Sequence, residues 1–270
     1  MKKIFQYIGV IVLMCFSFYY TDKVAKFMNS QDEVMKSINA YAKKYNTECK
    51  EGYITEEGVV LGVAGSVVDE NSSYSEMKGL GFDISLLEYK ENPCVVSKNN
   101  NKDDYIIRGN EAKKSVTLII NVINEKNIED IVKISKSKNI NLSILMTYNY
   151  LKNNKEFVTK LIDSGFDVLY KGESEEELKK FIKELNNVET FCVYQGKEGL
   201  LNYCYKNNLN TIKPEKIIKS NYLSNIKTDV KKGDFIILDE SVSLKEEIGV
   251  IINYIRSRGI KIVTLSEHLK

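Results

Sequence analysis

Val116-Thr-Leu-Ile-Ile-Asn-Val122 is an almost unbroken apolar run rich in β-branched residues, and the segments that follow it decide the architecture. Residues around Ile128 to Ser137 carry apolar side chains at helical spacing, Leu142 to Met146 is a second short apolar run, and a helical stretch then continues to Ser164 and stops at Gly165. Short apolar runs bounded by turn residues read as strands buried on both faces. Strands that alternate with helices predict an α/β fold with a mostly parallel sheet or barrel. The same alternation runs on to the carboxyl end. Ser174 with Glu177 and Ser243 with Glu246 have the spacing of a capping box, in which a hydroxyl and a carboxylate satisfy the free N–H groups that open a helix. Gly259 stands where a left-handed residue would end the last helix, and Ile260 to Leu265 reads as a final strand.

Outward toward the amino terminus the pattern loosens. Residues 48–110 are rich in Gly, Asn and Ser, with β-type runs at Val59 to Val63, Val95 to Val96 and Tyr105 to Ile107, and predict a small β-rich module. Gly62, Gly65, Gly79 and Gly81 lack the spacing of a phosphate-binding loop and read as turn glycines. Between 22 and 46, Val24, Phe27, Val34, Ile38, Tyr41 and Tyr45 recur at helical spacing. That stripe suits first a helix lying on its own domain, and as the alternative a stalk that pairs two copies as a coiled coil.

Lys2 and Lys3 precede an apolar run from Ile4 to Tyr20, near the lower length limit for crossing a bilayer. No small-residue cleavage site follows it, so it reads as an uncleaved membrane anchor. Positive charge before the run keeps the amino terminus cytoplasmic and sends the rest outward. The expected division is thus an anchor at 1–21, a helical stalk at 22–47, the β-rich module at 48–110 and the α/β domain at 111–270. The membrane is the expected partner through residues 4–20, and a homodimer through 22–46 is the second.

Composition narrows the function. With 39 basic and 37 acidic residues dispersed over 270 positions, the chain lacks the basic stripe that nucleic acid would select. Five cysteines, at 15, 49, 94, 192 and 204, include no Cys-x-x-Cys pair, which removes zinc-ribbon and thioredoxin-type chemistry. Four of them lie beyond the apolar segment, where an oxidising compartment lets them pair, with the connectivity open.

From Lys114 to Leu269 the order of segments resembles the polysaccharide deacetylase family of carbohydrate esterases. The likeness is carried by Val116 to Val122, by Leu161-Ile-Asp-Ser-Gly165 leading into Phe166-Asp-Val-Leu-Tyr170, by Phe191-Cys-Val-Tyr194, and by Lys232-Gly-Asp-Phe-Ile-Ile-Leu238. The ending Tyr254-Ile-Arg-Ser-Arg-Gly-Ile-Lys-Ile-Val-Thr-Leu-Ser-Glu267 resembles the family's last helix and strand. The resemblance implies a deformed (β/α) barrel with seven strands. It also implies where catalysis would sit, and there the sequence departs from the pattern. Asn121 and Val122 stand where family members have a paired Asp-Asp that supplies the general base and a metal ligand. Lys171 and Glu175 fall at the two metal-binding His, Cys192 at the Arg that orients the base, and Asp239 at the general-acid His. Asn cannot take a proton and Val cannot bind a metal.

One count supports the same conclusion without any alignment. The chain contains a single His, His268, expected to be a surface residue at a helix end, so a site needing two imidazole ligands and a third as acid cannot be assembled. No metal and no cofactor are expected. The leading reading is an inactive deacetylase-like module that binds a cell-wall glycan or an envelope protein, with Tyr148, Tyr150, Tyr170 and Tyr194 as candidate stacking surfaces. The competing reading is a deacetylase or glycan hydrolase with altered chemistry, using Lys171 or carboxylates such as Glu173, Glu175, Asp239 and Glu240. Asp239 and Glu240 are consecutive, so on a strand they point to opposite faces. No nucleophilic triad and no nucleotide loop accompany these residues.

Overall fold

The computed structural model describes residues 2–123, 126–172, 174–186, 188–196 and 199–270, with side chains described from residue 10 onward except at 22, 25, 26, 28 and 29. Glu173, one of the candidate carboxylates, lies outside the described residues. In chain order the helices are α1 (Lys2–Gln31), α2 (Glu33–Tyr45), α3 (Glu70–Met77), α4 (Ile128–Ser137), α5 (Tyr148–Asn153), α6 (Lys155–Asp163), α7 (Glu175–Leu185), α8 (Leu200–Lys206), α9 (Tyr222–Asp229), α10 (Val242–Ser257) and α11 (Leu265–His268). The strands are β1 (Tyr53–Ile54), β2 (Val59–Val60), β3 (Gly65–Val68), β4 (Tyr89–Asn92), β5 (Tyr105–Arg108), β6 (Ser115–Asn121), β7 (Ser143–Met146), β8 (Asp167–Lys171), β9 (Cys192–Val193), β10 (Thr211–Ile212), β11 (Lys216–Ile218), β12 (Phe235–Asp239) and β13 (Lys261–Ile262). They fall into two compact units, residues 1–48 with 65–92 and residues 49–64 with 93–270.

In the first unit Asp32 takes an extended conformation, which interrupts the helix, and its carboxylate accepts from the Val34 N–H to start α2. The apolar face of α2, Met35, Ile38 and Ala42, is buried against Val68, Tyr74, Met77 and Leu87. Of the helix expected over 22–47, the part from Glu33 is therefore packed on its own unit. Of the stripe, Ile38 is buried and Val34 and Tyr41 pack against the same cluster, while Tyr45 and, on α1, Val24 and Phe27 stay exposed. Strands β3 and β4 form an antiparallel pair with α3 between them. Among the described residues no helix is long and apolar enough to cross a membrane; the side chains of residues 4–9, where the expected span begins, lie outside them.

The second unit is built on one connected sheet in the order β1-β2-β5-β10-β9-β8-β7-β6-β12-β11, with β13 beside the start of β6. Every pairing in it is parallel except β1 with β2. Eleven strands stand where the family resemblance implies seven. The addition comes partly from β1, β2 and β5, which sequence places in a separate 48–110 module. That boundary is corrected, because residues 49–64 and 93–110 supply strands to this sheet and only 65–92 leave it.

Alternation along the strands sorts side chains into two layers. Val116, Leu118 and Ile120 of β6, with Val168 and Tyr170 of β8 and Ile236 and Leu238 of β12, face the helices. Ile119, Leu145, Leu169, Val193, Phe235 and Ile237 fill the concave inner side. All seven residues of β6 are buried: Val116, Leu118 and Ile120 are apolar toward the helices, while the concave side carries Ile119 among the buried polar residues Ser115, Thr117 and Asn121. The Ser174 cap forms as expected, its hydroxyl accepting from the Glu177 N–H at 3.2 Å, and Gly259 is left-handed after α10. The start of α10 is corrected: Ser241, not Ser243, caps it, accepting from Leu244. The helical stretch that ends at Gly165 divides at Asn154 into α5 and α6.

Candidate functional site

Barrels and open parallel sheets carry their sites at the carboxyl ends of the strands, where successive loops converge. In this chain those ends are set by register. Asn121 closes β6 directly beside Asp239 of β12, and Lys171 closes β8 beside Val193. Asn121, Lys171 and Asp239 each lie two residues beyond an inner-layer residue, Ile119, Leu169 and Ile237, so the alternation puts all three on the concave face.

Asn121 Nδ2 donates to Asp239 Oδ1 at 2.6 Å. Asn121 is almost wholly buried, with its Oδ1 lacking a partner among the described atoms, whereas Asp239 is half-exposed. Tyr222 holds the end of β12 from the other side, its hydroxyl donating to the Asp239 carbonyl at 2.6 Å. Burial pushes the Tyr222 hydroxyl above the usual range, although its bond to Ser241 pulls the other way.

The remaining predicted positions do not join this cluster. Val122 turns into the helix-side core and Cys192 is bonded to Cys204 of α8, both facing away from the concave side. Glu175 is the first residue of α7, and Lys179 one turn along, 2.8 Å away, holds its carboxyl below the usual range. Glu240 is nearly fully buried and accepts from the N–H groups of Ile123 at 3.1 Å and Asn127 at 2.7 Å, placing its charge at the amino end of α4. The candidate pair Asp239–Glu240 is thus divided between two tasks and offers no acid and base to one substrate.

Two of the candidate stacking tyrosines are also corrected. Tyr170 is completely buried against Phe181, with its hydroxyl donating to the Ser174 carbonyl at 2.8 Å, and Tyr150 is core. Tyr148 and Tyr194 are half-buried, and the Tyr194 ring sits 5.1 Å from that of Tyr105, a residue sequence reading missed because its partner is remote in sequence.

The donor set does not fit a metal. The strand ends on the concave face offer a single carboxylate already bonded to an amide, and a lysine two strands away from that amide. His268 is far from it. Contrary to the expected surface placement, its ring is buried, bonded through Nδ1 to the Thr117 hydroxyl at 2.9 Å and edge-on to Phe235 at 5.1 Å. Thr117 lies four residues before Asn121 on the same strand, about 13 Å away. Burial, with Lys113 adding to it, pushes the imidazole down to about 3. Elsewhere among the described residues, the one cluster of metal-ligand types is Cys49, Glu51 and Cys94, and its two cysteines are joined to each other.

No family model matches the sequence, and no curated protein matches it either. Solved structures do. BA3943 of Bacillus anthracis, described as a CE4 family pseudoenzyme, aligns over 88% of this chain and 95% of its own, with a TM-score of 0.63 at 21% identity. The fold is that of the CE4 carbohydrate esterases. A BA3943 mutant described as having restored enzymatic activity aligns over 88% of this chain and 98% of its own, with a TM-score of 0.64 at 20% identity. The Bc1960 peptidoglycan N-acetylglucosamine deacetylase aligns over 61% of this chain and 92% of its own, with a TM-score of 0.55 at 14% identity. The CE4 fold accounts for the convergence of Asn121, Lys171 and Asp239 on one concave surface.

Proposed function

We propose that this chain is a membrane-anchored, extracytoplasmic pseudoenzyme of the CE4 fold that holds a cell-wall glycan, or a partner protein of the envelope, on its concave surface. The observation that carries the reading is the Asn121–Asp239 bond, which couples two of the motif positions into an amide–carboxylate pair with no imidazole near it. Such a pair donates and accepts hydrogen bonds but supplies neither a base held ready by an Arg nor a ligand set for a metal. Lys171 adds a cation to that surface for a polar ligand, whereas Tyr148 and Tyr194 are half-buried against the helix-side core.

Two features support the placement outside the cytoplasm. The run from Ile4 to Tyr20 is the proposed anchor, and all four cysteines beyond it are paired, Cys49 with Cys94 and Cys192 with Cys204. The test is an assay of the purified protein on acetylated muropeptides and chitin oligomers, with and without divalent metal, beside a glycan pulldown. Retention of a glycan without acetate release is expected. Acetate release that depends on added metal would refute the reading and favour a hydrolase working through Asp239 or Lys171.

A further inference from the structure

In the first unit the turn Lys78-Gly-Leu-Gly-Phe-Asp-Ile84 projects three apolar side chains into solvent: Leu80 is 77% exposed, Ile84 58% and Phe82 38%. Gly79 and Gly81 have left-handed φ values of 81° and 93° with nothing within 4 Å of the position a Cβ would take, so this segment is an open tip. Behind the tip stands a collar of tyrosines. Tyr41 lies 4.3 Å from Tyr45 and 6.2 Å from Phe82 between ring centroids, and Tyr45 and Tyr89 are exposed. Lys43, Lys44 and Lys78 are exposed around it, while Oδ1 of the exposed Asp83 accepts from both the N–H and the hydroxyl of Ser85 at 2.8 Å.

Folded proteins seldom expose apolar side chains together on a projecting turn without a partner for them. An aliphatic tip with tyrosines and lysines behind it has the layering of a bilayer surface, hydrocarbon first, then the aromatic belt, then phosphate. A glycan would use the aromatic planes and leave Leu80 and Ile84 without a role. The same unit contains α1, on which Val24 is 50% and Phe27 68% exposed, Phe27 lying four residues, about 6 Å, from the end of the helix at Gln31. We infer that the 78–84 turn dips into the outer face of the membrane that holds the anchor, seating the first unit on the lipid. The inference rests on the anchored reading of the chain, and its test separates the two.

The protein contains no Trp, so a single introduced Trp is a clean fluorescent reporter. The full chain is reconstituted into phosphatidylcholine–phosphatidylglycerol vesicles with or without bromine on the acyl chains, as Phe82→Trp, Phe18→Trp and Val95→Trp, Val95 being 75% exposed in the second unit. Brominated lipid is expected to lower Phe82→Trp emission at least about twofold and to leave Val95→Trp within about a tenth of its value. Adding Leu80→Asp and Ile84→Asp to Phe82→Trp is expected to abolish the quenching while the circular dichroism spectrum holds. Phe18→Trp reads the anchor alone. If Phe18→Trp is quenched and Phe82→Trp is not, the anchor stands and the docking inference falls; if neither is quenched, both fall. Quenching of Phe82→Trp without Phe18→Trp removes the anchor and overturns the inference as stated, leaving only lipid contact at the turn, and equal quenching of Val95→Trp overturns it as nonspecific.

Discussion

Replacing Asn121 by Asp restores one carboxylate of the deacetylase pattern, and the structure makes that change costly. Asn121 Nδ2 is 2.6 Å from Asp239 Oδ1, a hydrogen bond to a charged acceptor at a site only 5% exposed. Losing such a bond removes about 1.5–3 kcal/mol, and the new carboxylate adds repulsion between two oxygens that cannot both carry charge at that distance. One of the two acids must keep a proton in the folded state, so its folded pKa is raised above its unfolded value. Stability tied to a raised pKa is fully present below the unfolded value and lost as pH rises through the folded one. If the rise is about two units, Asn121→Asp is about 3 kcal/mol less stable than the parent protein at pH 8 and close to it near pH 4, where a shared proton bridges the oxygens. Urea unfolding followed by circular dichroism at both pH values, always against the parent protein, measures this. Exchanging the pair, Asn121→Asp with Asp239→Asn, restores one amide and one carboxylate and recovers most of the loss. A single variant within about 0.5 kcal/mol of the parent at pH 8, or a double variant no better than the single, would refute the coupling.

Three further outcomes are expected. His268 has a folded pKa near 3 against an unfolded value near 6.5, so its contribution is present above pH 6.5 and lost as pH falls; going from pH 7 to 4.5 should cost about 2–3 kcal/mol that His268→Asn, which cannot titrate, does not lose. The denatured, unreduced chain should titrate one thiol, Cys15, and five after reduction, while Cys192→Ala with Cys204→Ala should lower stability by about 3 kcal/mol and Cys49→Ala with Cys94→Ala by about 4, from loops of 12 and 45 residues. More than one thiol before reduction contradicts the pairing. Glu240→Gln should cost about 1–3 kcal/mol in urea unfolding with no change in glycan retention, because the carboxylate holds the amino end of α4 and faces no ligand; an equal loss of retention would assign it to the site.

The parts of the fold legible in sequence are those whose signal is local. Strand β6 announces itself because Val116, Leu118 and Ile120 face the helices and Ile119 joins the inner layer, which leaves a β-branched apolar run in the sequence. Helix α4 was readable from its stripe of Ile128, Ile131, Val132 and Ser135, all buried. What escaped reading is set by pairing across long separations. Val59 and Val60 look like part of a separate module until β5 places them beside Ile106 and Arg108, and β5 is itself fixed by Thr211 and Ile212. His268 sits on a four-residue helix with no periodicity to show which side is buried, and Thr117, which takes its Nδ1, is 151 positions away.

The candidate site was legible as positions and illegible as orientations. In Val168-Leu169-Tyr170-Lys171 every residue but the last is fully buried, so the run carries no alternation from which to tell the helix side from the concave side. Only the packing of Leu169 in the inner layer shows that Lys171 shares its face and that Tyr170 points away. The same logic explains how the strand ends can change while the fold persists. One pleat below Asn121, Asp239 and Lys171 lie Ile119, Ile237 and Leu169, each wholly buried, and these supply the apolar contact that holds the sheet. At the rim Asn121 and Asp239 are held by a directional bond to each other, so a change of side chain there costs rim hydrogen bonds and leaves the apolar contact below intact. The Asn121–Asp239 pair then resists single substitutions of Asn121 by a carboxylate, since either carboxylate is stable only beside an amide or a shared proton.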